Sequence, residues 1–385
     1  MGVLRFDDIL GQPRAVGVLE TQLASARLHP GLIFHGPMGV GKHLTARALA
    51  SGLLCRQPET DLAGRLGPCG GCDACRLLAR DQAVDADADA AEAEAAVEDS
   101  HHPDLHLVSK ELARFSEDRS TRTRVLTQFP VDVVRERLIE PVYRRPQVGR
   151  GKVFIIDEAE LLNASSQNAL LKTLEEPPPQ TTIVLVTTRE ERLLPTIRSR
   201  CQRLAFVPLP DEDVARYIDA RGGLDGRLRD WAIAFSQGSL GRARLVLDYD
   251  LASWAKAVLP AAQKLCRGQP QPELGGVMNG LIDAFGETWV KRHANASKDA
   301  AKRRGAELMW AMLGHYARRG LNEAAAKASG ASDGDPSATE SALRPWLEAI
   351  EAIREAESLV ASNVNLSLVC DRVSMAMDAA LTGSA

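Results

Sequence analysis

Gly31-Leu-Ile-Phe-His-Gly36-Pro-Met-Gly-Val-Gly41-Lys42-His43 is the stretch that decides the fold. GLIFH at 31–35 reads as a short buried strand, and the apolar-periodic run from about Lys42 to Cys55 reads as a helix. Strand, glycine turn and helix in this order form the context in which a phosphate loop works. Glycines at positions 36, 39 and 41 let backbone N–H groups converge on an anion, and the helix start adds its positive dipole end. Lys42 would reach the outer phosphates. The next position usually gives Mg²⁺ a Ser or Thr hydroxyl, but here it is His43. Imidazole is a poor ligand for a hard, oxygen-seeking cation. Thr45 lies more than half a helical turn away and should not substitute. The loop therefore predicts ATP or ADP binding with weak or absent Mg²⁺.

Downstream, KVFIID at 152–157 and TIVLVTT at 182–188 read as two more buried strands. Between them, NASSQNALLKTLEEPPP has helical spacing and stops at the prolines 177–179. Alternating strands and helices imply a parallel sheet with helices on its faces. Asp157 and Glu158 end the second strand, where one carboxylate can hold a metal through water and the next can polarise an attacking water. Thr187 or Thr188, at the following strand end, could orient water or the outer phosphate. A plain acidic strand end and a plain strand-forming Thr pair are the bland alternatives. From Asp211 onward the chain reads as helix, with a composition shift near Asp250 and a loop at 329–338.

Cys55, Cys69, Cys72 and Cys75 give C-x13-C-x2-C-x2-C. Four thiolates close a tetrahedral Zn²⁺ site, so the expected metal is structural. A redox pair is the alternative, disfavoured because four cysteines converge. His101 and His102 read as ordinary loop residues. Residues 81–100 carry eight acidic and no Lys or Arg side chains, which predicts a disordered or frayed insertion.

Several of these segments together resemble the bacterial clamp-loader AAA+ family: FDDILGQ at 6–12, RLHPGLIFHGPMGVGK at 27–42, NALLKTLEEPPP at 168–179 and Ser199-Arg200-Cys201. The resemblance covers about residues 4–245. It implies an α/β AAA+ domain over 1–208 with the zinc module at about 55–75 and the acidic insertion at about 81–100. A small helical lid would follow over 209–250, and an all-α collar over 251–385. It also implies that Arg200 serves as an arginine finger for a neighbour's ATP. The family's sensor arginine follows an apolar residue directly; here that place is Gly241, and Arg242 comes one step, about 100° of helix, later.

Missing hydroxyl, displaced sensor and intact finger together resemble the delta-prime type within this family. Asp157 and Glu158 would then be vestigial. The implied partners are gamma/tau and delta subunits, the sliding clamp and, through the complex, primed DNA. Two alternatives stay open: an ATP-hydrolysing gamma/tau-type subunit and a DNA-binding zinc protein. A net charge of −4 means that any DNA contact of this chain must be a local patch. The N-terminus lacks a basic-then-apolar signal, and no apolar run approaches the length of a membrane span, so a cytoplasmic location is expected.

Overall fold

The computed structural model describes residues 2–61, 64–87, 100–109, 129, 131–224, 226–265, 269–292, 297–330, 336–361 and 364–382. Two compact units emerge: 1–223 with 236–244, and 224–235 with 245–385. The division runs through the segment 209–250, for which a separate lid was expected.

The first unit is built on a five-stranded sheet. Its strands are β1 (Gly31–His35), β4 (Leu105–Val108), β5 (Lys152–Ile156), β6 (Thr181–Thr187) and β7 (Gln202–Ala205), in the order β4-β5-β6-β1-β7. All four pairings are parallel. A two-stranded hairpin, β2 (Glu59–Thr60) and β3 (Leu66–Gly67), stands apart from it. Strands β5 and β6 are buried along their whole length, as expected of a parallel sheet covered on both faces. This is why they read as continuous apolar runs rather than alternating ones. Phe154, Ile156, Ile183 and Leu185 join Leu170, Leu174 and Ile197 in the core on one face.

Helix α1 (Pro13–Ala24) begins with proline at its first position, where a missing N–H costs nothing. Helix α2 (Lys42–Leu54) follows the glycine turn. Helix α3 (Asp73–Asp87) runs seven residues into the acidic stretch expected to be disordered. Asp81 explains the difference: it is buried and accepts hydrogen bonds from Ser100 Oγ and from His101 N and Nδ1. Residues 88–99 lie outside the described residues. Helix α4 (Ala164–Glu175) is capped by Asn163, whose side chain accepts from Ser166 N at 2.8 Å. Its end at Glu175 agrees with the stop expected from the prolines. Two further helices, α5 (Pro195–Arg198) and α6 (Asp211–Arg221), lie before the unit boundary.

A buried polar staple, not foreseen from the sequence, fixes the entry to β5. Asp104 accepts from the N–H groups of Gln147, Val148 and Gly149 at 2.7, 2.8 and 2.6 Å. Lys152 donates its ammonium to the carbonyls of Pro141, Val142 and Arg144. Three carbonyls and three N–H groups of 141–149 are thereby satisfied by two buried side chains.

The second unit is helical: α7 (Gly226–Ser236) up to Phe235 and α8 (Leu240–Asp248) from Leu245 onward, then α9 (Leu251–Leu265), α10 (Leu274–Arg292), α11 (Lys298–Gly330), α12 (Pro336–Ala361) and α13 (Leu366–Thr382). Helices α10 to α13 pack in a closed cycle, each against the next and α13 back on α10, which makes a four-helix bundle. Trp310 sits fully buried in α11. The loop expected at 329–338 is shorter: α11 reaches Gly330, α12 starts at Pro336, and 331–335 lie outside the described residues. None of the described helices is long and apolar enough to cross a membrane.

Replacing the buried Asp104 with Ala removes the acceptor of three N–H groups, on exposed Gln147 and half-buried Val148 and Gly149, and is expected to destabilise the sheet-bearing unit by about 2 kcal/mol. Urea unfolding read by hydrogen exchange of the β5 amides checks this; an unchanged midpoint would show that the staple is dispensable.

Candidate functional site

The glycine turn has the backbone that its sequence promises. Gly36, Gly39 and Gly41 have φ of 142°, 74° and 99°, a region that side-chain-bearing residues rarely enter. A Cβ on Gly36 would also meet the Phe206 carbonyl oxygen at 2.2 Å. Lys42 is buried, and its ammonium folds back on the loop, donating to the carbonyls of Gly36 at 2.7 Å and Pro37 at 2.5 Å. Burial lowers its pKa to about 8, against the opposing pull of Asp157 and Glu160. His43 is half-buried, and desolvation lowers its pKa; Arg47 adds to the effect and Asp157 opposes it. Thr45 donates its hydroxyl to the Gly41 carbonyl at 2.9 Å and is fully buried, so it offers no oxygen to a metal beside the loop.

Asp157 and Glu158 stand just past β5, and the Glu158 N–H donates to Asp157 Oδ1 at 2.9 Å. Glu158 adopts a left-handed backbone, φ 47°. Thr188 is held by a residue that the sequence did not single out. Glu160 Oε1 accepts from both the N–H and the hydroxyl of Thr188. Burial alone would raise the Glu160 carboxyl; hydrogen bonds from Thr188 and Thr187 outweigh it and keep the pKa below the ordinary value. The signal was a third acidic residue two places after the Asp-Glu pair, which is too common a pattern to interpret alone. The Thr187 hydroxyl accepts from Arg189 N at 3.0 Å.

The segment 239–242, where a sensor was expected, reaches the same turn. The Gly241 N–H donates to the Gly39 carbonyl at 3.1 Å, and a Cβ on Gly39 would meet Ser239 Oγ at 2.2 Å. Two glycines thus let two backbones touch. Arg242, one step on, donates to the side-chain oxygen of Gln237 at 2.9 Å, and Ser239 caps its N–H at 3.1 Å. Gln12, from the N-terminal box, ties both walls together. Its amide donates to the carbonyls of Val40 and Val207 and accepts from Val207 N.

Arg200 is placed elsewhere. A Cβ on Gly31, the first residue of β1, would touch the Arg200 carbonyl at 3.3 Å and Cys201 Sγ at 3.1 Å. The glycine turn follows the last residue of β1. Five residues of strand separate the two places, about 16 Å. The Arg200 guanidinium pairs with Glu175 at 2.7 Å and donates to the Thr196 carbonyl at 3.1 Å, on a partly exposed surface shared with His29 and Pro177. Cys201 is buried, which pushes its thiol up to about 12, so its part is packing rather than redox chemistry.

The four cysteines meet. All four sulfurs lie within 4.8 Å of one another, with Cys55–Cys72 and Cys69–Cys75 both 3.9 Å apart. Zn–S bonds of about 2.3 Å in a tetrahedron place sulfurs about 3.8 Å apart, so the donor set and its spacing fit zinc. Backbone N–H groups of Cys69 and Cys72 already point at the sulfurs of Cys55 and Cys69, as stabilising a thiolate cluster requires.

Against this geometry, the family signature described as "DNA polymerase III, delta subunit" matches residues 11–210. The chain belongs to this family. Among curated relatives, it is 35% identical over 193 residues to the DNA polymerase III subunit delta' of Pseudomonas aeruginosa, covering 50% of this chain and 47% of that protein. It is 32% identical over 213 residues to the subunit tau/gamma of Haemophilus influenzae, covering 55% of this chain and 25% of that one. The chain therefore spans between a quarter and a half of the curated relatives it matches. Among solved structures, a gamma subunit-related protein of Thermotoga maritima aligns over 93% of this chain and 98% of its own, at 16% identity and a TM-score of 0.45.

The N-terminal segment rests on the four-cysteine module. Arg5 donates to the Pro68 carbonyl at 2.8 Å, next to Cys69. Arg65, from the β2–β3 hairpin, reaches Asp7 at 2.6 Å and Asp61 at 2.7 Å. Stripping the metal, or replacing Cys69 and Cys72 with Ser, is expected to speed amide exchange at residues 4–9 while β5 stays protected. Arg65→Ala should reproduce the effect with metal retained; an N-terminus indifferent to both would break the link.

A phosphate group held by Lys42 needs the ammonium form. With a pKa of about 8, that form falls from most of the population at pH 7 to about a tenth at pH 9, so ADP should bind about tenfold more weakly at the higher pH. Calorimetric titration at both values, with Lys42→Met as the baseline, measures it.

Proposed function

We propose that this chain is the delta-prime subunit of a DNA polymerase III clamp loader, one that completes a neighbour's ATP site and turns over little ATP of its own. The observation that carries this reading is the place of Arg200, about one strand length from the chain's own glycine turn. A guanidinium so placed cannot touch phosphates bound in that turn. Across a subunit boundary it would stand ready for the outer phosphate of an adjoining gamma/tau subunit, where developing charge in phosphoryl transfer gives an arginine most effect.

Three features of the home site support the division of labour. His43 stands where a hydroxyl would ligate Mg²⁺, and Thr45 is bonded to Gly41. Gly241 occupies the sensor position and lies against Gly39, while Arg242 is bonded to Gln237. Lys42 is engaged by loop carbonyls. Asp157 and Glu158 would be remnants of a hydrolytic site, and Thr188, held by Glu160, its sensor. The four-cysteine cluster would hold structural zinc, Glu175 would orient the finger, and the helical unit would supply lid and collar. The partners would be gamma/tau and delta subunits, with the sliding clamp and primed DNA handled by the hetero-oligomer in the cytoplasm.

A second reading, an ATP-hydrolysing gamma/tau-type subunit, is favoured by the survival of Lys42, Asp157 and Glu158 together. The two readings part in a reconstituted complex. Arg200→Ala is expected to slow turnover at the adjoining site about a thousand-fold while the subunits still co-elute; Lys42→Ala should leave the rate unchanged. A rate lost with Lys42 and kept without Arg200 would assign the chain to the motor type instead.

A further inference from the structure

We infer that the helical unit carries a docking groove for an acidic, apolar-anchored peptide segment of another polypeptide. The groove has a volume of about 660 Å³ and lies among helices α7, α9, α11 and α12. Its walls hold Trp231, Tyr316 and Trp346 beside Leu259, which gives an apolar anchor a place to lose water. The charges around it are one-sided: Arg227, Lys256 and Arg319 are three cations against the single carboxylate of Glu323. Glu323 stands 3.6 Å from Arg319 on the same helix, one turn along. Arg227 and Lys256 are exposed and, among the described residues, make no ion pair. Such a rim attracts carboxylates, and steers and orients a ligand more than it tightens it.

Pro260 adds a specific handle. It lies inside α9 and has no N–H for the carbonyl four residues back, that of Lys256. That carbonyl, without its helical donor and beside the groove, can accept from a peptide N–H. The aromatic rings argue for peptide over single-stranded nucleic acid. A base needs an open ring face to stack on. Trp231 is already stacked on Phe235 at 5.1 Å, and Trp346 lies against Gly320 and meets Tyr316 edge-on at 5.9 Å. Gly320 makes this possible, because a Cβ there would come within 2.3 Å of the Trp346 ring.

The test uses the full chain and a fluorescein-labelled peptide alternating Asp or Glu with Leu or Phe. Its counterpart has Lys at every acidic position, and labelled oligothymidylate serves as the nucleic-acid probe. The acidic peptide is expected to bind at least tenfold tighter than the lysine one, and to protect amides around Trp231 and Tyr316–Gly320 from exchange. The double variant Arg227→Glu with Lys256→Glu alters only exposed side chains; it should weaken the acidic peptide at least tenfold and favour the lysine one. Leu259→Asp, on the groove wall, should weaken the acidic peptide as well. Equal binding of the two peptides, affinity untouched by the charge reversal, or displacement of the acidic peptide by oligothymidylate would each overturn the proposal.

Discussion

The parallel pairing of β1 with β6 on one side and β7 on the other is the constraint from which the rest of the first unit follows. Parallel strands all point the same way, so every residue that follows a strand comes out at one edge of the sheet and every residue that precedes one at the other. The glycine turn after β1, Asp157 after β5 and Thr188 after β6 therefore share an edge, where ligands of open α/β sheets collect. Arg200 precedes β7 and is carried to the opposite edge. One topological fact separates a site that could hold nucleotide from a group that could act on someone else's.

Close backbone approach is the second theme. Gly36 makes room for Phe206, Gly39 for Ser239 and Gly241, and Gly31 for the Arg200–Cys201 backbone and thiol. Each removes a side chain so that two segments far apart in the chain can touch. The same economy explains why the segment 239–242 bears on the turn through a backbone hydrogen bond and not through a guanidinium. A contact of this kind holds the two segments together but brings no positive charge to a phosphate.

Buried polar groups provide the remaining rigidity. Asp104 and Lys152 satisfy the backbone of the connection into β5, Asp81 ties α3 to Ser100 and His101, and Glu160 holds Thr188. In a water-poor interior each such group is stabilising only while its partners are in place. The four cysteines, two buried and two half-buried, act similarly: Pro68, next to Cys69, accepts from Arg5, and Arg65 of the same module reaches Asp7 in the N-terminal segment.

The sequence by itself determined the parallel sheet, the glycine turn, the cysteine cluster and the helical remainder. All are written in local patterns: apolar runs, glycine spacing, cysteine spacing and short motifs that need no distant partner to be recognised. Only the tertiary structure decided that α3 extends through Asp81, that Glu160 grips Thr188, that Gly241 lies on Gly39, and that Asp104 staples the segment before β5. Those contacts join residues from 19 to 202 positions apart, and their signals are single acidic residues or glycines of a kind found throughout the chain. Their role comes from burial and proximity, which are properties of the folded packing and leave no periodic trace along the sequence.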